Sequence, residues 1–142
     1  MKLEQIYSND LVKEGFYTLP KNFIEWFKKD EAIEPWKTFK DEKEKLLNFY
    51  KILKEKYPQG LLLPFAYIHD LSGFCNDGWP IVACFDLNDL PLVRIYDFSS
   101  PENSPWMNHS YKDFAEWLRM AKEESLTYQS ELDELQNCDY DK

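Results

Sequence analysis

The stretch that decides the fold is Ile81-Val82-Ala83-Cys84-Phe85-Asp86-Leu87-Asn88-Asp89-Leu90-Pro91-Leu92-Val93-Arg94-Ile95-Tyr96-Asp97-Phe98. Its first seven residues alternate, with Ile81, Ala83, Phe85 and Leu87 on one face and Val82, Cys84 and Asp86 on the other. Asn88 to Pro91 has turn chemistry, and Leu92 to Phe98 alternates again. Two strands this close form an antiparallel hairpin. The face carrying Ile81, Ala83, Phe85, Val93 and Ile95 is predicted to be buried.

Moving outward, Leu61 to Ile68 is short and strongly apolar and reads as a further buried strand. Pro64 forces an edge position or an irregularity on it. Upstream of it the period changes to that of helices. Phe23, Ile24 and Phe27 recur at helical spacing, Trp26 widens their face, and Pro20 suits the first turn. Leu46, Tyr50, Leu53 and Tyr57 form a second helical face that Pro58-Gln59-Gly60 stops; Asp41 and Glu44 have the spacing of a capping box. Residues 30–40, interrupted by Pro35, have no period. Downstream, Ser110 to Asp113 resembles a capping box, and Phe114, Trp117, Leu118 and Ala121 line the helix that follows. Tyr128, Leu132 and Leu135 continue it after a break, and residues 136–142 fray. His69 to Gly78 is a turn region with a brief strand around Phe74-Cys75. Helices, then a strand meander, then a helix predict an α+β fold: one domain over residues 1–142, its antiparallel sheet packed by N-terminal helices and a C-terminal one.

The composition agrees. The chain has 142 residues, enough for one domain, and 17% are aromatic, far too many for a disordered chain. No apolar run approaches the roughly 20 residues that span a bilayer. The start, MKLEQIYSND, has no apolar core of a secretory signal, and three cysteines, Cys75, Cys84 and Cys138, fit a reducing cytoplasm. The net charge of −9 is unevenly spread: residues 1–60 carry a balance of +1, residues 61–142 one of −10. With only Arg94 and Arg119 as arginines, nucleic acid and anionic membranes are poor partners. The acidity either serves solubility alone or steers a basic protein partner.

Chemistry finds little foothold. His69, Asp70, Cys75 and Cys84 hold the residue types of thiol catalysis but no nucleophile motif, and Cys84 sits in an apolar strand where thiols are inert. No metal-ligand spacing is present, and the four glycines form no phosphate cradle. Paired acids such as Asp86 with Asp89, or Glu123 with Glu124, read as solvated surface. No cofactor is implied. Phe74, Trp79 and Trp106 either line a small-ligand pocket or anchor loops to the core. The loops 69–79 and 97–109 mix acids with aromatics. Asp70, Asp77 and Trp79 from the first, with Asp97, Glu102 and Trp106 from the second, are the candidate partner-binding residues. The hairpin should gather both loops at the end opposite residues 88–91.

Four segments in order resemble the SUKH superfamily. Leu19-Pro20-Lys21-Asn22-Phe23-Ile24-Glu25-Trp26-Phe27-Lys28 is similar to its opening LPxxYxxFL, and Leu63-Pro64-Phe65-Ala66 to its iPFA strand. The run from Gly73 through Phe85-Asp86-Leu87 to Val93-Arg94-Ile95-Tyr96-Asp97 resembles its central strands. Ser110-Tyr111-Lys112-Asp113-Phe114-Ala115-Glu116-Trp117-Leu118 resembles its closing helix. The likeness spans about residues 18–120, leaving 121–142 as an acidic helical extension. Asp30-Glu31-Ala32-Ile33 stands where the family has Asn-Gly-Gly, and Asp70-Leu71-Ser72-Gly73 carries a single glycine. These departures mark residues 30–37 and 70–79 as specialised surface. The resemblance implies a non-enzymatic domain of the Smi/Knr-like kind. Many bacterial members look like cytoplasmic immunity proteins that neutralise a cognate nuclease or deaminase toxin; a yeast member is a regulator acting through protein contacts. The expected function is therefore toxin neutralisation by occlusion, with a regulatory scaffold binding a host protein or small ligand as the alternative.

Overall fold

The structure is a computed structural model that describes residues 19–68, 80–98, 104–106 and 109–140, with side chains through residue 134. Two helices come first, α1 (Lys21–Lys29) and α2 (Lys43–Lys56). Four strands follow, β1 (Leu62–Ile68), β2 (Ile81–Asp86), β3 (Val93–Asp97) and β4 (Ser110–Tyr111), then α3 (Phe114–Tyr140). The strands form one antiparallel meander in the order β1-β2-β3-β4. The expected α+β domain is thus present, with the hairpin in register from Ile81 opposite Asp97 to Phe85 opposite Val93. Pro64 has both expected effects: β1 is an edge strand, and its register slips between Pro64 and Ala66.

The register puts Leu63, Phe85 and Val93 in one row on one face of the sheet, and Tyr67, Val82 and Tyr96 in a row on the other. Phe23 of α1 and Phe114 and Trp117 of α3 meet Phe65, which stacks on Phe85 at 4.3 Å between ring centroids. Phe49 of α2 and Tyr57, the cap at its C-terminal end, meet Tyr67 and Tyr96 on the opposite face. Helices therefore cover both faces. This corrects the one-sided burial read from the alternation. Val82, Cys84 and Tyr96 are as buried as Ala83, Phe85 and Val93, while Ile81, Ile95 and Leu118, expected inside, are half-buried. A central strand covered on both faces reads as a continuous apolar run, which Ile81 to Phe85 is.

Helix ends differ from expectation in instructive ways. Pro20 is the N-cap of α1 rather than its first helical residue, and its carbonyl accepts the Ile24 N–H. Asp41 does not cap α2: Glu42 holds that place without a side-chain bond, and Asp41 takes a left-handed φ of 66°. Phe49, not Tyr50, completes the buried face of α2. The box at α3 lies three residues on, where Asp113 Oδ1 accepts the Glu116 N–H at 2.9 Å and Glu116 reaches back to the Lys112 N–H. Ser110 belongs to β4 instead. The break expected before Tyr128 is absent, and the backbone stays helical to Tyr140 rather than fraying from residue 136. The strand expected around Phe74-Cys75 lies outside the described residues.

Candidate functional site

The chain between α1 and α2 builds a concavity. α1 stops at Asp30, whose φ of 55° lets its N–H close on the Phe27 carbonyl. Asp30 thus performs the left-handed turn that glycine ordinarily performs. Beyond it, Trp36 bonds back to Ile33, and Lys37 exchanges both backbone hydrogen bonds with Tyr67 at 2.8 and 2.9 Å, on the outer side of β1. Two aromatic side chains then straddle that edge. Trp36 stands edge-on to Trp117 on the α3 side, its indole N–H donating to Glu124 Oε2 at 2.8 Å. Phe39 packs on Tyr67 and Phe49 on the α2 side. An edge strand needs such a cover against pairing with other chains, and here the cover carries a cleft.

The cleft measures about 590 Å³ and is lined by residues 30–34, 36–38, 40–42 and Tyr67. Its floor is Ile33, Trp36 and Tyr67, each only 4% exposed. Its rim carries five carboxylates, Asp30, Glu31, Glu34, Asp41 and Glu42, against Lys37 and Lys40. Lys40 Nζ sits 2.9 Å from Asp30, and Lys122 Nζ sits 3.6 Å from Glu31. Burial, and then the charge of Glu42, push the Tyr67 phenol above its ordinary value. Lys45 Nζ lies 4.7 Å from the centre of the Tyr67 ring. Such a cleft offers excess negative charge and an aromatic base, held on a rigid edge.

Of the residues singled out from sequence, Asp70, Asp77, Trp79 and Glu102 lie outside the described residues, as do His69, Phe74 and Cys75. The two that are described do not come together. Asp97 is half-buried at the end of β3, and alternation puts it on the face opposite Tyr96. Trp106 stays on the Tyr96 side. It stands edge-on to Tyr57 at 5.1 Å and covers Gly60 so closely that a Cβ there would lie 2.8 Å from the indole. Trp106 is 42% exposed.

The acidic pairs also separate. Asp86 is not solvated surface but 2% exposed. Its carboxylate accepts from Arg94 Nε at 3.0 Å and from the Asn88 N–H at 3.1 Å. Arg94 continues to Ser110 Oγ and, at 3.6 Å, to Asp89, tying β2, the hairpin turn and β4 together. Glu123 and Glu124 are both exposed, and Glu124 in addition accepts from the Trp36 indole. Cys84 is fully buried, and burial followed by the charge of Asp86 pushes its thiol upward, so thiolate chemistry is suppressed there. Among the described residues, no group of three His, Cys, Asp or Glu is placed to hold a metal ion, and no helix is long and apolar enough to cross a membrane. Compared with known proteins, the chain matches no family model, no curated protein and no solved structure.

The sequence pointed to the cleft only through its departure at residues 30–33. That departure marks residues 30–37, Glu34 and Trp36 among them, as specialised surface but singles out no side chain, and Glu42 lies beyond it. Pro35 marks the segment as irregular and nothing more.

Proposed function

We propose that this chain is a non-enzymatic protein-binding domain of the immunity type. It neutralises a basic toxin of nuclease or deaminase chemistry by occluding the toxin's nucleic-acid cleft. The observation that carries the reading is the 30–42 cleft, where five lining carboxylates, two of them paired with Lys40 and Lys122, stand above an aromatic floor. Carboxylates fixed on a rigid scaffold can stand in for phosphates against lysine and arginine, and the opposite fields speed encounter. The balance of −10 over residues 61–142 adds to the same field, and on α3 it is displayed by the exposed Glu123, Glu131, Asp133 and Glu134. The likeness to the SUKH motifs supports the same partner class.

Co-expression with the product of a neighbouring toxin gene tests it. Growth should be restored, and the two proteins should co-purify at equal stoichiometry. No rescue, together with no toxin in a pull-down from the native host, would overturn the reading. Recovery of a host regulator in its place would favour the scaffold alternative.

A further inference from the structure

We infer that Trp36 is a proton-coupled oxidation site: it gives one electron to an outer-sphere one-electron oxidant and passes its indole proton to Glu124. This redox chemistry belongs to the chain itself and holds whatever partner it binds. Three indoles stand in series where α1, α3 and the segment before α2 meet. The ring centroids of Trp26 and Trp117 lie 5.9 Å apart and those of Trp117 and Trp36 5.3 Å, both pairs edge to face. Trp26, Trp117 and Trp36 are 4%, 0% and 4% exposed, so access to solvent does not tell them apart.

Their N–H groups do. An indole nitrogen can only donate, and a buried one ordinarily finds an acceptor. Among the described residues, the Trp26 and Trp117 N–H groups are buried without one. The Trp36 N–H donates to Glu124 Oε2 at 2.8 Å. The difference decides where a missing electron settles. An indole that has lost an electron is a cation with an acidic N–H. On Trp26 or Trp117 that cation is a buried charge with no counter-charge, which is costly. On Trp36 it lies against a carboxylate, and one proton moving along a bond already made neutralises it. The step balances. The Trp36 indole, the Glu124 carboxylate and the oxidant give a neutral Trp36 indolyl radical, a Glu124 carboxylic acid and the oxidant reduced by one electron. Glu124 is exposed, so the acid then returns its proton to water. Oxidation therefore strikes the side chain that ties the cover of β1 to α3.

The test applies an ultraviolet flash to the full chain, which ionises tryptophans whether or not they are exposed. Hexaamminecobalt(III) takes up the electron, and transient absorbance follows the radicals. In the parent, a phase should appear in which the band of the indole radical cation gives way to that of the neutral indolyl radical, slower in heavy water. Glu124→Gln keeps an acceptor for the N–H but no base, and should slow that phase about fivefold or more. Glu123→Gln removes the same charge from the neighbouring exposed position on α3 and should change the rate less than about twofold. Both glutamates are exposed, so both variants keep the core intact. Trp36→Phe should abolish the phase. Trp106→Phe, which removes the most exposed of the described indoles, should leave it in place. Equal effects of the two glutamine variants, no effect of heavy water, or a phase that survives Trp36→Phe and vanishes in Trp106→Phe would overturn the inference.

Discussion

The indole N–H of Trp36 and the carboxylate of Glu124 meet at 2.8 Å across 88 residues of chain. The bond joins the irregular segment before α2 to the fourth turn-region of α3, and it is the side-chain tie that holds one wall of the cleft. A double-mutant cycle with Trp36→Phe and Glu124→Ala should give a coupling of about 1 kcal/mol, the worth of one part-exposed hydrogen bond to a charged group. Additive losses in urea melts would show that the two side chains are neighbours without being partners.

Asp86 and Asp89 both approach Arg94, but only Asp86 is buried. Removing one member of a buried pair strands the other charge, so Asp86→Ala should cost about 3–5 kcal/mol. Asp89, at 3.6 Å and 67% exposed, should cost less than about 1 kcal/mol on the same change. Similar losses for the two variants would mean that Arg94 relaxes to solvent once Asp86 is gone.

Gly60 gives Trp106 its seat. A methyl group at Gly60 would lie 2.8 Å from the indole, closer than packed atoms tolerate, so Gly60→Ala must displace the ring. The expected result is a red-shifted Trp106 emission, read as the difference from a Trp106→Phe background, and a stability loss of about 1 kcal/mol. In a Trp106→Ala background that loss should vanish. A loss that persists there would place the strain in the backbone.

Four weak acids with neutral ground states, Cys84 and Tyr67 buried and Tyr57 and Tyr111 half-buried, set the alkaline limit. Burial and the charge of Asp86 raise Cys84 above its ordinary 9.0. Burial, with the phenol of Tyr96 beside it, pushes Tyr57 up to about 12, and burial likewise raises Tyr67 and Tyr111 above 10.0. Each folded value lies above the unfolded one. Their contribution is therefore complete below pH 9 and is lost as pH rises through the folded values. The melting temperature should fall steadily between about pH 10 and 12, and Tyr57→Phe should blunt the fall in that window. A melting temperature level to pH 12 would contradict it.

Much of the fold was legible because the strands announce themselves. Alternation in Ile81 to Leu87 and Leu92 to Phe98, with turn residues between, fixes a hairpin by local chemistry alone. What alternation cannot report is a second covering layer. Alternation puts Val82 and Cys84 on an outer face, yet both are fully buried beneath the α2 side, and the apolar character of that face is the available signal. Caps were misplaced by one to three residues because Asp, Glu and Ser recur near every helix start, and only backbone geometry chooses among them. The cleft was the least legible part. It depends on Trp36 reaching Glu124 and on Lys37 pairing with Tyr67, contacts between residues far apart in sequence that no periodicity encodes. The buried role of Asp86 was hidden for the same reason: its partner Arg94 lies across the hairpin.

β2 is paired on both sides and covered on both faces, and its residues from Val82 to Phe85 have no exposed surface. Its amides have no local route to water. In deuterium exchange they should be the slowest of the described chain, releasing their protons only when the whole domain opens. The rate at Val82 to Phe85 then serves as a clock for global unfolding. It gives the stability of the full domain under native conditions, without denaturant, from four consecutive residues. Exchange there as fast as in the two-residue strand β4 would mean that the sheet opens strand by strand.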